Sequence, residues 1–417
     1  MIRRLAGTVV LALAAPALAA EWPAWRGPTG DGWCTETNVP VRWSRTSNVR
    51  WRTPLPEPGN STPVVWRDTV FLTQNIGHKR CLVALSRVTG KERFTKGVDA
   101  VGRDRTHATN PHASASPTTD GERVVCWFGT TGVVAFDLQG NLLWRTDLGV
   151  QDHQFGYGAS PVLHGGLVFL NFGPGPREFV AALDAKTGAE KWRVESKTPG
   201  ADDIYGTWST PFLVKHAGQE QLLVALRDYF AALEPATGRE IWHSAGLGPQ
   251  AKTSPVAGGG IALISGDLQS AEIAVQLGGT GDVRASHRLW RETPPRRRVA
   301  TGVIVDGHCF GARVNGILDC VTMAEGEEAW AERAGGAAAN SPVWASPVYV
   351  QPAGLVYYVN QGGDTVVVRA TPKAFERVEV NSVGETSNAS LAISRGQVFL
   401  RTHQALWCFE QPELAAR

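Results

Sequence analysis

Beyond its first nineteen residues, the 417-residue chain lacks any apolar run long enough to cross a bilayer. Cysteine is scarce and never forms C-x-x-C. Cys34, Cys81, Cys126, Cys309, Cys320 and Cys408 stand apart, which argues against a compact zinc site or a thioredoxin-like pair. Excess charge is absent as well. The formal net charge is +2, and setting aside Arg3 and Arg4 leaves the two signs equal at 39 each. Such a balance argues against nucleic acid as a partner, because that binding rests on many cations facing phosphates. The one basic cluster, Arg296-Arg297-Arg298 after Pro294-Pro295, reads as a solvated loop. No G-x-G-x-x-G, G-x-S-x-G or H-E-x-x-H occurs. Residues 246–253 approach a phosphate loop but lack Gly before Lys252 and run into Ser254-Pro255 rather than a helix. No segment sustains a 3.6-residue apolar period, so helices are not the building block.

What is present begins with a leader. Arg3 and Arg4, an apolar stretch over residues 5–15, and the small-x-small site Ala17-Leu18-Ala19 read as a secretory signal over residues 1–19. Ala20, Glu21 and Trp22 follow the expected cut, with no lipid-acceptor Cys. The expectation is an exported, soluble monomer, periplasmic or extracellular, without a membrane span. An oxidising compartment permits disulfides. Cys309 and Cys320 flank Asn315-Gly316, and a two-residue turn there would make them diagonal neighbours on one sheet face. A bridge between them and a pair of buried thiols are both open on this reading.

Two signals recur along the chain. The first is a small or hydroxyl residue, usually followed by Pro, that opens an apolar strand: Thr62-Pro63, Ser116-Pro117, Ser160-Pro161, Thr210-Pro211, Ser254-Pro255, Thr301-Gly302, Ser346-Pro347 and Ser390-Leu391. The second is an alternating strand, a Gly turn and an aromatic strand, as in Leu183-Asp184, Thr187-Gly188 and Trp192, or Leu233-Glu234, Thr237-Gly238 and Trp242. Pro is tolerated where a strand begins, and Gly supplies the positive φ of a tight turn. Period-2 strands such as Leu167-Val168-Phe169-Leu170 lie between the signals. Eight units spaced 44 to 54 residues apart are what four-stranded propeller blades require.

The last unit supplies only three strands before the chain ends. Val49-Arg50-Trp51-Arg52-Thr53-Pro54 closely parallels the outer strand Leu142-Leu143-Trp144-Arg145-Thr146-Asp147, so an early segment is expected to complete the final blade. The fold predicted is an all-β, eight-bladed propeller of four-stranded antiparallel blades over residues 47–410, closed by that N-terminal strand. Residues 20–46 form an extension packed on it, and 411–417 a tail.

At these residues the chain resembles the pyrroloquinoline-quinone-repeat propellers. Ser/Thr-Pro-Val, Ala-Leu-Asp-x-x-Thr-Gly and the outer Trp are that repeat's marks, and they cover about residues 47–410. Trp22-Pro23-Ala24-Trp25-Arg26-Gly27-Pro28, His112-Ala113-Ser114-Ala115-Ser116-Pro117 and Tyr205-Gly206-Thr207-Trp208 look like a bacterial exported subgroup. One set of relatives, the quinoprotein alcohol dehydrogenases, would imply a quinone and calcium. Their adjacent cysteines have no counterpart here, and neither cofactor is expected. Another, the propeller lipoprotein of the outer-membrane assembly machinery, is similar in size but carries the lipid-acceptor Cys missing here. The resemblance leaves three readings: a non-catalytic scaffold binding a protein, peptide or glycan, a quinone-dependent dehydrogenase, and an outer-membrane assembly factor.

The loops entering the innermost strands of a propeller border its central channel. They contribute Asn60, His112, Tyr157, Tyr205, Trp208, Lys252, Arg298, Trp344 and Asn388. Aromatic faces mixed with donors suit a sugar, a peptide or a flat ring. Ordinary rim residues without a ligand are the alternative. His107, His112 and His153 with Asp152 or Asp203 fit no compact metal spacing. Asp184 and Glu234 recur at equivalent positions and read as turn caps rather than an acid–base pair. Trp51, Trp144, Trp192, Trp242, Trp290 and Trp330 fall on outer strands in register. Trp22, Trp25, Trp208 and Trp344 do not.

Overall fold

The hydroxyl residue of every Ser/Thr-Pro signal stands two residues ahead of a short strand. Thr62 precedes Val64–Trp66, Ser160 precedes Val162–His164, and Ser346 precedes Val348–Val350. In the computed structural model, which describes residues 21–411 except 103, 152, 199–204 and 268, these are the innermost strands of eight sheets. The expected leader, residues 1–19, and residues 412–417 lie outside the described residues. Blade 3 gives the pattern: Val162–His164, Leu167–Phe172, Phe179–Asp184 and Glu190–Glu195 pair in sequence, all antiparallel. Blades 4 and 7 each gain a short parallel fifth strand, Gly281–Asp282 beside Trp242 and Trp33–Cys34 beside Tyr349.

The ring closes as the sequence leads one to expect. Val49–Pro54 pairs antiparallel with Ala405–Glu410, placing Trp51 opposite Cys408, and becomes the outer strand of blade 8. Apolar faces of neighbouring blades meet at the seams. Val125, Val133 and Ala135 of blade 2 pack with Val168, Leu170 and Leu183 of blade 3.

The two sequence signals are the two seam fasteners. On the outside, Trp144 of blade 2 lies on the Thr187-Gly188 turn of blade 3 and donates its Nε1–H to the Ala185 carbonyl at 2.9 Å. Trp192 reaches Pro235 at 3.0 Å, Trp290 reaches Met323 at 2.9 Å and Trp330 reaches Thr371 at 2.9 Å in the same way. Gly188 has φ +74°, and an added Cβ would stand 2.5 Å from the Trp144 ring, so the turn needs glycine for both conformation and space. Trp242 departs from the pattern. The fifth strand covers its edge, and its Nε1–H donates to Gln221 Oε1 at 2.9 Å.

On the inside runs a belt. The Thr62 N–H donates to Ser116 Oγ at 2.9 Å, Ser116 N–H to Ser160 Oγ at 3.0 Å, and Ser160 N–H to Thr210 Oγ1 at 2.9 Å. The sequence continues through Ser254 at 2.8 Å, Thr301 at 2.8 Å, Ser346 at 2.9 Å and Ser390 at 3.0 Å. Seven seams are bridged this way among the described residues. At the eighth, between blades 8 and 1, the fully buried Arg401 guanidinium donates to Ser61 Oγ, to the Thr73 carbonyl at 2.9 Å and to Gln74 Oε1 at 2.8 Å.

The Cys309–Cys320 bridge is not made; both are free buried thiols. The connection between their strands is one residue longer than a two-residue turn. Arg313 N–H bonds to the Ile317 carbonyl at 2.7 Å, with Gly316 at φ +81°. Cys309 therefore pairs with Val321 and Cys320 with Phe310. The one-residue slip puts the two thiols on opposite faces, Cys309 against blade 5 and Cys320 against blade 7.

Candidate functional site: the channel mouth

The belt hydroxyls do more than fasten blades. All eight, Thr62, Ser116, Ser160, Thr210, Ser254, Thr301, Ser346 and Ser390, line a central cavity of about 260 Å³. Backbone extended at this point turns alternate side chains to the same side. The residues two positions earlier accordingly form a second tier: Asn60, Ser114, Gly158, Trp208, Lys252, Val299, Trp344 and Asn388 line the same cavity. Five of the nine residues singled out from sequence belong to this tier, namely Asn60, Trp208, Lys252, Trp344 and Asn388.

The other four are not in the lining, and for two of them the offset explains it. Tyr157 and Arg298 lie three residues before a belt hydroxyl, so they turn away from the axis. Tyr157 is buried and donates its O–H to the His112 carbonyl at 2.8 Å. Arg298 is neither a rim residue nor part of a solvated loop. It is 1% exposed, pairing with Glu272 and, at 2.7 Å, with Asp319. Burial alone would discharge it, but the two carboxylates more than offset that and raise its pKa. His112, four residues before its hydroxyl, sits beside Arg80 at 3.2 Å, and burial followed by that cation lowers its pKa to about 4. Tyr205 is five residues away and donates to Gln269 Oε1 at 3.2 Å.

Sequence reasoning missed an upper rim and placed no floor. The rim comes from loops of blades 2 and 3. Both hydrogens of Asn110 Nδ2 are committed, to the Phe155 carbonyl at 2.7 Å and the Tyr157 carbonyl at 3.0 Å. The Thr109 carbonyl accepts from Asn60 at 2.9 Å and Asn388 at 3.1 Å, tying the loop before blade 2 to the adjoining blades 1 and 8. His107 is edge-on to Phe155 with ring centres 5.6 Å apart, and Phe155 is 6.4 Å from Trp208. The Trp208 Nε1–H donates to the Gly156 carbonyl at 2.9 Å, which locks the ring as part of the wall.

The floor is Trp25. The N-terminal segment pairs with blade 1 at Trp22 and Val65, and the Thr119 N–H of blade 2 donates to Pro23 at 2.8 Å. It then crosses to blade 6, where the fully buried Arg26 donates to the Thr301 carbonyl at 2.6 Å and the Gly302 carbonyl at 2.7 Å. Trp25 falls between these anchors. It lines the belt cavity and also a second cavity of about 460 Å³ between the segment and the inner strands of blades 3 to 5. Trp25 is thus the partition between the two.

Electrically the cavity is quiet. Among the described residues its lining carries no carboxylate, and its lysine, Lys252, is paired with Asp267 while its Nζ lies 5.9 Å from the Trp208 ring centre. Calcium requires several oxygen ligands with carboxylates among them, so this lining of hydroxyls, amides and aromatic rings does not suit a quinone–calcium centre. Among the described residues no cluster of three His, Cys, Asp or Glu could hold a metal. Asp152 and Asp203 lie outside the described residues.

A family model described as outer membrane protein assembly factor BamB matches residues 37–203 and 129–350, most of the ring. The chain belongs to this family of PQQ-repeat β-propellers. No curated protein matches it by sequence. Among solved structures, BamB from Moraxella catarrhalis superposes with a TM-score of 0.62 at 11% identity, covering 87% of this chain and 99% of that one. Quinohemoprotein alcohol dehydrogenase ADHIIG from Pseudomonas putida HK5 gives 0.62 at 12% identity, covering 96% and 82%. The computationally designed Ika8 protein gives 0.58 at 10% identity, covering 87% and 100%. At these identities the likeness concerns the fold alone. Among the described residues no helix is long and apolar enough to cross a membrane.

Proposed function

We propose that this propeller is an exported, non-catalytic binding scaffold whose ligand enters the channel mouth. The observation that carries the reading is the lining itself: among the described residues, two tiers of mostly neutral polar and aromatic side chains, with no carboxylate and with Lys252 paired to Asp267. A general acid–base pair needs two titratable groups within reach of one reacting atom; among the described lining residues these are His107 and Lys252, and Lys252 is held by Asp267. The same lining weighs against the quinone-dependent dehydrogenase reading. Outer-membrane assembly, the role in the family model's description, is a more specific version of scaffold binding; the expected leader would place the protein where such a role operates.

Immobilised peptide and neutral-glycan arrays test the proposal. The purified protein should be retained on one of them, and Trp208→Ala should lose that retention while still unfolding in one cooperative transition, at a temperature lowered by the lost Gly156 bond and ring contacts. Dye-linked alcohol oxidation after incubation with the quinone and calcium is expected to stay at background. Turnover in that assay, or array retention indifferent to Trp208, would overturn the reading.

A further inference from the structure

From the geometry of the cavity we infer that its ligand is the terminal residue of a neutral glycan, inserted end-on. This deepens the scaffold reading and rests on it.

The argument starts at the belt. A hydroxyl has one hydrogen to donate and two lone pairs to accept with. In seven of the eight belt residues one lone pair already takes a backbone N–H from the preceding blade. That bond fixes the oxygen but leaves its hydrogen uncommitted to the belt. The channel wall is therefore an arc of seven positioned hydroxyls, completed by Thr62, each able to donate and to accept. A ligand that matches them must carry many groups of the same double character on a small ring. Sugar hydroxyls do. An anion offers acceptors alone, and a peptide terminus brings a charge for which the described lining residues hold no free carboxylate or ammonium, Lys252 being paired with Asp267.

Aromatic faces supply the other half of sugar recognition, since the C–H face of a pyranose is apolar. Trp208 and Phe155 wall the mouth and Trp25 closes the bottom. Asn110 adds a fixed acceptor. With both Nδ2 hydrogens spent on carbonyls, its Oδ1 is turned to the Gly158 edge of the cavity, 3.8 Å from where a Cβ on that glycine would stand.

Size and closure set the mode of entry. About 260 Å³ lies just under the range of roughly 300–1,000 Å³ for small-molecule sites. That suits one sugar ring and not a chain. With Trp25 across the axis a glycan cannot thread through, so an end must go in first.

The test uses the whole protein and a panel of linear neutral hexasaccharides: α1,4- and β1,4-linked glucose, β1,4-linked N-acetylglucosamine and β1,4-linked mannose. Tryptophan fluorescence and titration calorimetry read binding. One or more should bind, and a cyclic form or a form methylated on its terminal ring should bind at least tenfold more weakly. Thr301→Val keeps side-chain shape and removes one belt hydroxyl. It should weaken binding by about three- to tenfold, one net hydrogen bond, while Thr301→Ser restores it. Thr301→Val also leaves the Ser254 N–H without its acceptor, so its melting curve should shift down while staying cooperative, and Thr301→Ser should restore both melting and binding. Failure of all four sugars, equal binding of blocked ends, or indifference to Thr301→Val overturns the inference. Retention on peptide arrays that depends on Trp208, with no sugar bound, would sink the glycan while leaving the scaffold reading intact.

Discussion

Side chains that carry charge into the seams give the sharpest predictions at the residue scale. Glu178 is 2% exposed and accepts the Arg227 N–H at 2.9 Å, and burial pushes its pKa up to about 7. A carboxyl that holds its proton more tightly when folded contributes stability in full below its unfolded pKa, and that contribution is lost as pH rises to 7. Glu178→Gln should therefore match the parent near pH 4.5 and exceed it above pH 7, by on the order of 2–3 kcal/mol. Denaturation midpoints across pH measure this, and parallel curves would refute it. Arg401 is the opposite case, a cation surrounded by neutral acceptors; burial lowers its pKa to about 9. Arg401→Ala strands the Thr73 carbonyl and Gln74 Oε1 in a sealed seam and should cost roughly 3 kcal/mol, read from the urea midpoint. At this scale the site was half legible. Trp208, Lys252 and Trp344 were found because chemistry before Ser/Thr-Pro is near the axis in every blade. Tyr157 and Arg298 misled because nearness along the chain does not settle which side a residue faces, and only the two-residue offset does.

Elements follow the local signals closely, since the inner hydroxyl recurs in all eight blades and the outer Trp fastener in five of them. The Thr-Gly turn and the outer Trp read from sequence as parts of one blade; the structure makes them partners across a seam, Trp144 on Gly188. Trp144→Ala removes a ring that is 8% exposed along with its bond to Ala185, and should cost about 3–5 kcal/mol. Gly188→Ala should approach the same loss, because its turn cannot open without displacing that ring. Thermal melts of the two single variants and the double measure this. Strict additivity would argue against a shared contact. Cys309 and Cys320 mark where element-level reading failed. Asn315-Gly316 signals a hairpin but not its length, and one residue in the turn decides which face each thiol takes.

For the molecule as a whole, the ring was legible because closure leaves a deficit that can be counted: three strands at one end and a matching outer strand at the other. Without Val49–Pro54, blade 8 would present the Ala405–Glu410 edge to solvent. Deleting residues 47–56 should give concentration-dependent association rather than a smaller stable monomer, seen by size-exclusion chromatography. A monomer with unaltered melting would contradict the closure. The belt has a consequence at this scale too. Seven peptide groups point tangentially, each toward the next blade in the same rotational sense. Bond dipoles aligned along a helix add up to an anion-attracting end; arranged head to tail around a circle they cancel as vectors. The axis can thus be crowded with oriented N–H groups and still generate almost no field along its length, so what enters is selected by fit and not drawn in by voltage.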